Sequence, residues 1–302
     1  MTIQSKAVDS SQFKPEIIQE LGRLDIIAKV LAEGIRQGTH SSRRKGFSTE
    51  FSDFNPYVPG DDLRFIDWRL YARTDRLYIK NFQAETNLEV MLVLDATQSM
   101  AWRWKQTITK LEYGINLLAA IGYLHIRNHD MTGLLLHDAH DLHFVPPKSK
   151  RSQLEAMFAV LEKVEPAKSE SFARLVDSLA SYHRHRGRVL ICSDLEENEE
   201  QVAEALEALA GHDDEVILVH LLDHAEEDLP FDDLTHIRDS ETGELLRVDL
   251  PTLKRDHAEQ VAAFRQRWQD HCQQWGIIYI PVHSGESYVD TIVTIFDKIH
   301  HR

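Results

Sequence analysis

The stretch Leu88-Glu89-Val90-Met91-Leu92-Val93-Leu94-Asp95-Ala96-Thr97-Gln98-Ser99 decides the fold. Its first seven residues form a short, nearly continuous apolar run that stops abruptly at an aspartate. A run of this kind reads as a strand buried on both faces, as in parallel sheets, and not as the alternating pattern of a half-exposed strand. The residues that follow are small and polar, so the chain turns there. One carboxylate and two hydroxyls are left at the strand's carboxyl end.

Working outward, a long helix is expected from about Trp104 to Arg127, then an apolar run Thr132 to Leu136 and a hairpin to Phe144. That is the βαβ rhythm of a parallel sheet. Helices over Ser152 to Lys163 and Phe172 to His185 lead into another buried strand, Arg188 to Cys192, which ends at Ser193-Asp194. The pattern repeats with helix Glu199 to Leu209 and strand Glu215 to Leu221, then helix Leu253 to Trp275, strand Ile277 to Val282 and a last helix from Tyr288. Between Leu229 and Leu250, Glu241-Thr242-Gly243-Glu244 is a hairpin turn signal. The expected fold of residues 87–302 is α/β, a doubly wound and mostly parallel sheet.

Residues 1–86 read as an accessory region. Apolar residues recur at helical spacing from Pro15 to Gln37, and a loop with short extended pieces follows from Gly38 to Gly60, holding Arg43, Arg44 and Lys45 and closing on a Pro59-Gly60 turn. A short element over Ile66 to Tyr71 and a strand over Arg76 to Phe82 complete the region. The chain shows no internal repeat.

Composition narrows the function. With 302 residues, 42% of them apolar, and a net charge of −15 from 49 acidic against 34 basic side chains, this is a globular chain that repels phosphate backbones and anionic lipid surfaces. Nucleic acid is excluded as an expected partner. The two cysteines, Cys192 and Cys272, form neither a disulfide framework nor a cysteine metal knot. Met1 to Pro15 lacks the basic start and apolar core of a secretory signal, and the apolar stretch Gly114 to Leu124 falls short of the roughly 18 residues a membrane span needs. The expected location is the cytoplasm, without membrane insertion.

In open parallel sheets, ligands bind at the carboxyl ends of strands. Two strands here end in acids, one supplying Asp95, Thr97 and Ser99 and the other Ser193-Asp194. The set is all oxygen, which suits a hard cation such as Mg²⁺, with Mn²⁺ or Ca²⁺ as alternatives. Helix N-terminal amides are expected nearby. An ion held by hydroxyls and few carboxylates stays under-neutralised and can accept a carboxylate from a partner protein. The plainer reading is that these acids and hydroxyls only cap the helices that follow.

The Asp95-x-Thr97-x-Ser99 loop resembles the metal-ion-dependent adhesion site of von Willebrand factor A domains, usually written Asp-x-Ser-x-Ser, with Thr97 replacing the first serine. Upstream, Tyr57-Val58-Pro59-Gly60-Asp61-Asp62-Leu63-Arg64-Phe65-Ile66-Asp67-Trp68, followed by Ala72-Arg73, is similar to the signature of the bacterial family called domain of unknown function 58. The resemblance runs from about Arg43 to Pro281 and takes in Asp95 through Met100, Ser193-Asp194, Leu229-Pro230 and the Asp239 to Gly243 turn. It implies an A-type domain, no catalytic role, and an adaptor that works with a MoxR-type AAA+ ATPase and a client protein, because genes of the family often neighbour such ATPases. A-type domains also supply a threonine from a third loop. Here the spacing of Phe172, Leu175, Val176 and Leu179 puts Glu170 nearest that position, with Ser169 and Ser171 beside it, and Ser171 is carried as the third-loop ligand while all three stay open.

Other clusters have bland explanations. Asp61, Asp62, Arg64, Asp67, Trp68 and Arg73 read as a buried ion-pair network clamping the N-terminal region rather than as an acid–base site. His137, His140 and His143 cannot share one strand face, so they read as solvated and not as a metal site. His183 and His185 beside Arg184 and Arg186 read as a polar helix end, and Asp194, Glu196, Glu197, Glu199 and Glu200 as a charged first helical turn. Two competing functions remain: a Mg²⁺-dependent phosphotransfer hydrolase with Asp95 as nucleophile, which lacks a second acid because Thr97 stands in its place, and an ion-free structural scaffold.

Overall fold

The computed structural model describes residues 10–41, 54–56, 73, 78–80, 88–104, 108–167, 171–182, 187–212, 214–230, 236–238, 245–247 and 250–300. Strand β1 (Phe54–Pro56) pairs antiparallel with β2 (Tyr78–Lys80). The main sheet is built from β3 (Glu89–Leu94), β4 (Met131–His137), β5 (Leu142–Lys148), β6 (Arg188–Ser193) and β7 (Glu215–Leu222), together with the last strand, Ile278–His283. A separate hairpin pairs β8 (His236–Arg238) with β9 (Leu245–Arg247), as the turn signal between them predicts, and the last strand is therefore β10. The six-stranded order is β10-β7-β6-β3-β4-β5, parallel throughout except where β5 folds back on β4.

Every residue of β3 is buried. Successive residues serve opposite faces, as strand geometry requires: Val90, Leu92 and Leu94 join one core, Met91 and Val93 the other. The first core packs under α2 (Leu24–Ser41), α3 (Lys110–Arg127), α4 (Ser152–Leu161) and the C-terminal helix Tyr288–His300. The second packs under α5 (Phe172–Tyr182), α6 (Glu199–Ala210) and the long helix Leu250–Trp275. The sheet is thus doubly wound.

Two helix boundaries differ from expectation, each for a local reason. The N-terminal helix is broken into α1 (Pro15–Ile18), a 3-10 turn (Gln19–Leu21) and α2, because Gly22 adopts a φ of 64° that ends the first piece. Ile27, Leu31 and Ile35 of α2 lie in the same core as Leu117 and Ile121 of α3, so this segment is a layer of the sheet domain. Helix α3 starts at Lys110 and not near Trp104, since Thr109 and Glu112 make a reciprocal capping box, with Glu112 N–H donating to Thr109 Oγ1 at 3.0 Å and Thr109 N–H to Glu112 Oε2 at 2.8 Å. Helix α6 starts at Glu199 as expected, with Asn198 as its cap, so only Glu199 and Glu200 form its charged first turn, and Asp194, Glu196 and Glu197 lie before it.

The three histidines of the β4–β5 hairpin are held by local partners, two of them by Asp138. His137 Nδ1 donates to Asp138 O, His140 meets Glu165 at 3.2 Å and His143 meets Asp138 at 3.1 Å. Arg43, Arg44, Lys45, the Pro59-Gly60 turn, the Ile66 to Tyr71 element, the cluster Asp61 through Trp68, and His183 to Arg186 lie outside the described residues, while Arg73 is exposed.

Candidate metal centre

Strand order reverses at β3. The chain leaves it toward β4 and β5 on one side and returns as β6 on the other. The crevice at such a switch point is where open α/β sheets bind ligands. Because β3 and β6 are in parallel register with Leu94 opposite Cys192, and Asp95 N–H extends the ladder to Cys192 O at 2.9 Å, both strands run out at the same level. Asp95 and Ser193-Asp194 therefore meet.

Asp95 is 2% exposed and fully engaged: Oδ1 accepts Thr97 N–H at 2.9 Å and Oδ2 accepts the Ser193 hydroxyl at 2.5 Å. The first bond folds the loop back on itself, and a 3-10 turn over Gln98–Ala101, anchored by buried Met100, carries Ser99 toward β6. The Thr97 and Ser99 hydroxyls are 3.0 Å apart, and Ser99 Oγ donates to Asp194 Oδ1 at 3.2 Å. Four predicted residues from two distant segments thus form one connected oxygen cluster. Thr97 and Ser99 are half-buried and form its open side.

The spacing suits a hard ion. In an octahedral site with bonds of about 2.1 Å, neighbouring donors stand about 3 Å apart, which the Thr97–Ser99 and Ser99–Asp194 separations match. Electrostatics agrees: burial, and secondarily the Asp194 charge, push the Asp95 carboxyl up to about 7. Two buried carboxylates sit close together, and a cation would relieve them.

Sequence reasoning missed Lys110. Its side chain is wholly buried, with Nζ 2.8 Å from Asp194 Oδ2, 2.7 Å from Glu226 Oε1 and 3.3 Å from Glu196 Oε1. Burial acts to deprotonate it, but the charges of Asp194, Glu196 and Glu226 outweigh burial and raise its pKa. Burial carries Glu226 up to about 8, against the pull of Lys110. This ammonium, on the first residue of α3, backs the cluster. Its one sequence signal is a lysine inside the Thr109-x-x-Glu112 box, at the start of a helix otherwise apolar on its inner face.

Asp194 is also fixed through its backbone. Its carbonyl accepts from His220 Nε2 at 3.1 Å, and Tyr279 donates its hydroxyl to His220 Nδ1 at 2.6 Å. Burial drives His220 down to about 3, so the ring stays neutral and this tautomer is the one that satisfies both partners.

The third loop is placed in part. Ala167 bridges Thr97 in parallel fashion and donates its N–H to Ala96 O at 2.7 Å, so the chain at Ala167 runs alongside the Asp95 loop. Ser171 caps α5 with a long contact from Arg174 N–H at 3.4 Å, and Glu197 accepts Ala173 N–H at 3.1 Å. Ser169 and Glu170 lie outside the described residues.

A family model described as "Protein of unknown function DUF58" matches residues 53–267. The chain belongs to the DUF58 family. This DUF58 protein is 26% identical over 255 residues to "Uncharacterized protein Rv1480" of Mycobacterium tuberculosis, covering 83% of this chain and 80% of that one. Among solved structures it is similar to the conserved hypothetical protein BatB from Bacteroides thetaiotaomicron, with a TM-score of 0.47 and 17% identity over 71% of this chain and all of the other. It is also similar to the SpRpn10 VWA domain, with a TM-score of 0.40 and 10% identity over 68% of this chain and 94% of the other. No described helix is long and apolar enough to cross a membrane.

Proposed function

We propose that this DUF58 protein is a protein-interaction module that docks a partner through one divalent cation, Mg²⁺ by preference, held by Asp95, Thr97, Ser99 and Asp194. A third-loop oxygen from Ser169, Glu170 or Ser171 completes the set. The convergence of the two strand ends into one half-open oxygen cluster carries this reading. The ion supplies Lewis acidity toward a partner carboxylate, and hydroxyl donors leave that acidity largely intact. The residues do the rest: Ser193 and Thr97 N–H orient Asp95, while Lys110 and His220 hold Asp194. On the resemblance to the domain of unknown function 58 family, the partner is a MoxR-type AAA+ ATPase acting on a client protein in the cytoplasm.

The phosphotransfer alternative is less well served. Thr97 stands where a second acid would be needed, and the Lys110 ammonium is engaged by three carboxylates and so is a poor holder of phosphate. Calorimetry with Mg²⁺ and capture of the ATPase from the same cell test the docking reading. Both should be lost in Thr97→Val/Ser99→Ala, whose half-buried positions tolerate the change. Equal capture in EDTA, or by the double variant, would refute it.

A further inference from the structure

A second group of ligating side chains lies at the same edge of the sheet, beyond β7. Helix α7 (His224–Asp228) leaves β7 and carries His224 and Glu227 one turn apart, while His283 ends β10 next door. One donor atom from each of His224, Glu227 and His283 lies within 4.8 Å of the other two. We propose that these three residues form a transition-metal site of the Zn²⁺ class, independent of the oxygen cluster at Asp95.

The donor chemistry sets the class. Two imidazoles and one carboxylate are the ligands of borderline divalent ions with an open fourth position, and they suit Mg²⁺ or Ca²⁺ poorly. The scaffold is built. Asp223, next to His224, accepts Ala225 N–H at 2.8 Å through Oδ1 and the Ser284 hydroxyl at 2.9 Å through Oδ2. Ser284, next to His283, continues the ladder by donating its N–H to Leu222 O at 2.8 Å. Asp223 and Ser284 are both buried, so they pin together the two backbones that carry the histidines.

The side chains lie within reach of one another. The two imidazole rings stack with centroids 4.0 Å apart and an interplanar angle of 8°, so the exposed His224 ring must turn for a nitrogen of each ring to face one ion. Glu227 Oε2 faces His283 Nε2 at 3.3 Å, and its other oxygen is taken by Arg265 at 2.6 Å. A ligating carboxylate held by an outer-shell donor on its second oxygen is the usual arrangement around bound metals. His283 Nδ1 is buried with no hydrogen-bond partner among the described residues, so the ring is not locked into a network of its own. His224 is exposed, which keeps the site open to solvent. A tetrahedral ion with bonds of about 2.1 Å wants donors about 3.4 Å apart, so side-chain rotation alone must close the remaining gap.

The test uses the full chain, stripped with chelator and titrated with Co²⁺ and Zn²⁺. Wild type should take up one equivalent of Co²⁺ with visible absorption typical of nitrogen ligation, displaceable by Zn²⁺. His224→Ala and Glu227→Gln should each weaken Co²⁺ by about 100-fold or more, beyond the loss expected for an outer-shell residue, and Ser99→Ala should leave it unchanged. Because His224 is exposed, His224→Ala keeps its fold, which circular dichroism checks. No nitrogen-type spectrum in wild type, or one that survives unchanged in both variants, would overturn the proposal. Loss of this signal alongside normal Mg²⁺ binding would leave the docking reading intact, and the reverse result would separate the two in the other direction.

Discussion

Replacing Asp95 by asparagine should change stability with opposite signs in acid and at alkaline pH. Burial and the Asp194 charge raise the carboxyl from 3.8 to about 7, so the folded state binds its proton more tightly than the unfolded state. The stability this confers is fully present below pH ~4 and is lost as pH rises through ~7. At about 1.4 kcal/mol per unit, the ionised form is worse off by roughly 4 kcal/mol in the absence of a cation. Asparagine mimics the protonated acid in shape and charge, but it sets an amide against the Ser193 hydroxyl that now donates at 2.5 Å, a loss of about 1 kcal/mol. In EDTA at pH 8, Asp95→Asn should therefore be about 3 kcal/mol more stable than wild type. At pH ~3.5, where the acid is protonated in both folded and unfolded states, it should be slightly less stable, by about 1 kcal/mol or less. Mg²⁺ should reverse the pH 8 ranking by binding only the native wild type. Urea denaturation at both pH values, with EDTA and with about 10 mM Mg²⁺, measures all of this. A variant that is less stable than wild type at pH 8 in EDTA, or that gains equally from Mg²⁺, would refute the reasoning.

Two further perturbations probe the frame around the site. Lys110→Met strips the countercharge from buried Asp194 and should cost about 3–5 kcal/mol in denaturant melts, while tightening Mg²⁺ about tenfold or more by calorimetry, since a positive neighbour is gone. A variant with unchanged Mg²⁺ affinity would show that Lys110 does not act on the site. Gly187→Ala would bring a Cβ to 2.3 Å from the Glu89 carbonyl oxygen at the mouth of the β3–β6 pair, and should lose about 3 kcal/mol by thermal or urea unfolding. A loss under about 1 kcal/mol would mean that the strand starts can separate freely.

How far the site could be read from sequence depends on what kind of contact holds each residue. Asp95, Thr97 and Ser99 are close in the chain, and their role follows from a buried strand that stops at an acid. Asp194 could be inferred because β6 has the same form: an apolar run that ends in Ser193-Asp194. Lys110, His220, and the trio His224, Glu227 and His283 carry no such pattern. Lys110 lies in a helix first turn that capping explains by itself, and His220 sits inside a strand where its neighbours are all apolar. The His224-x-x-Glu227 spacing was available as a signal, but its third member lies 56 positions beyond Glu227, by subtraction of the chain numbers 283 and 227.

Local sequence determined the elements. Apolar runs of five to seven residues, capping boxes and glycine breaks act over short range, so the strands of the main sheet, the β8–β9 hairpin and the doubly wound class follow from them. Tertiary structure alone decided strand order and register, and with them which side chains meet. The parallel pairing of Leu94 with Cys192 sets Asp95 against Ser193, and the packing of α3 over that edge inserts Lys110 beside Asp194. Side-chain identity along the chain does not encode these meetings directly, because they arise from many weak apolar contacts summed over two cores.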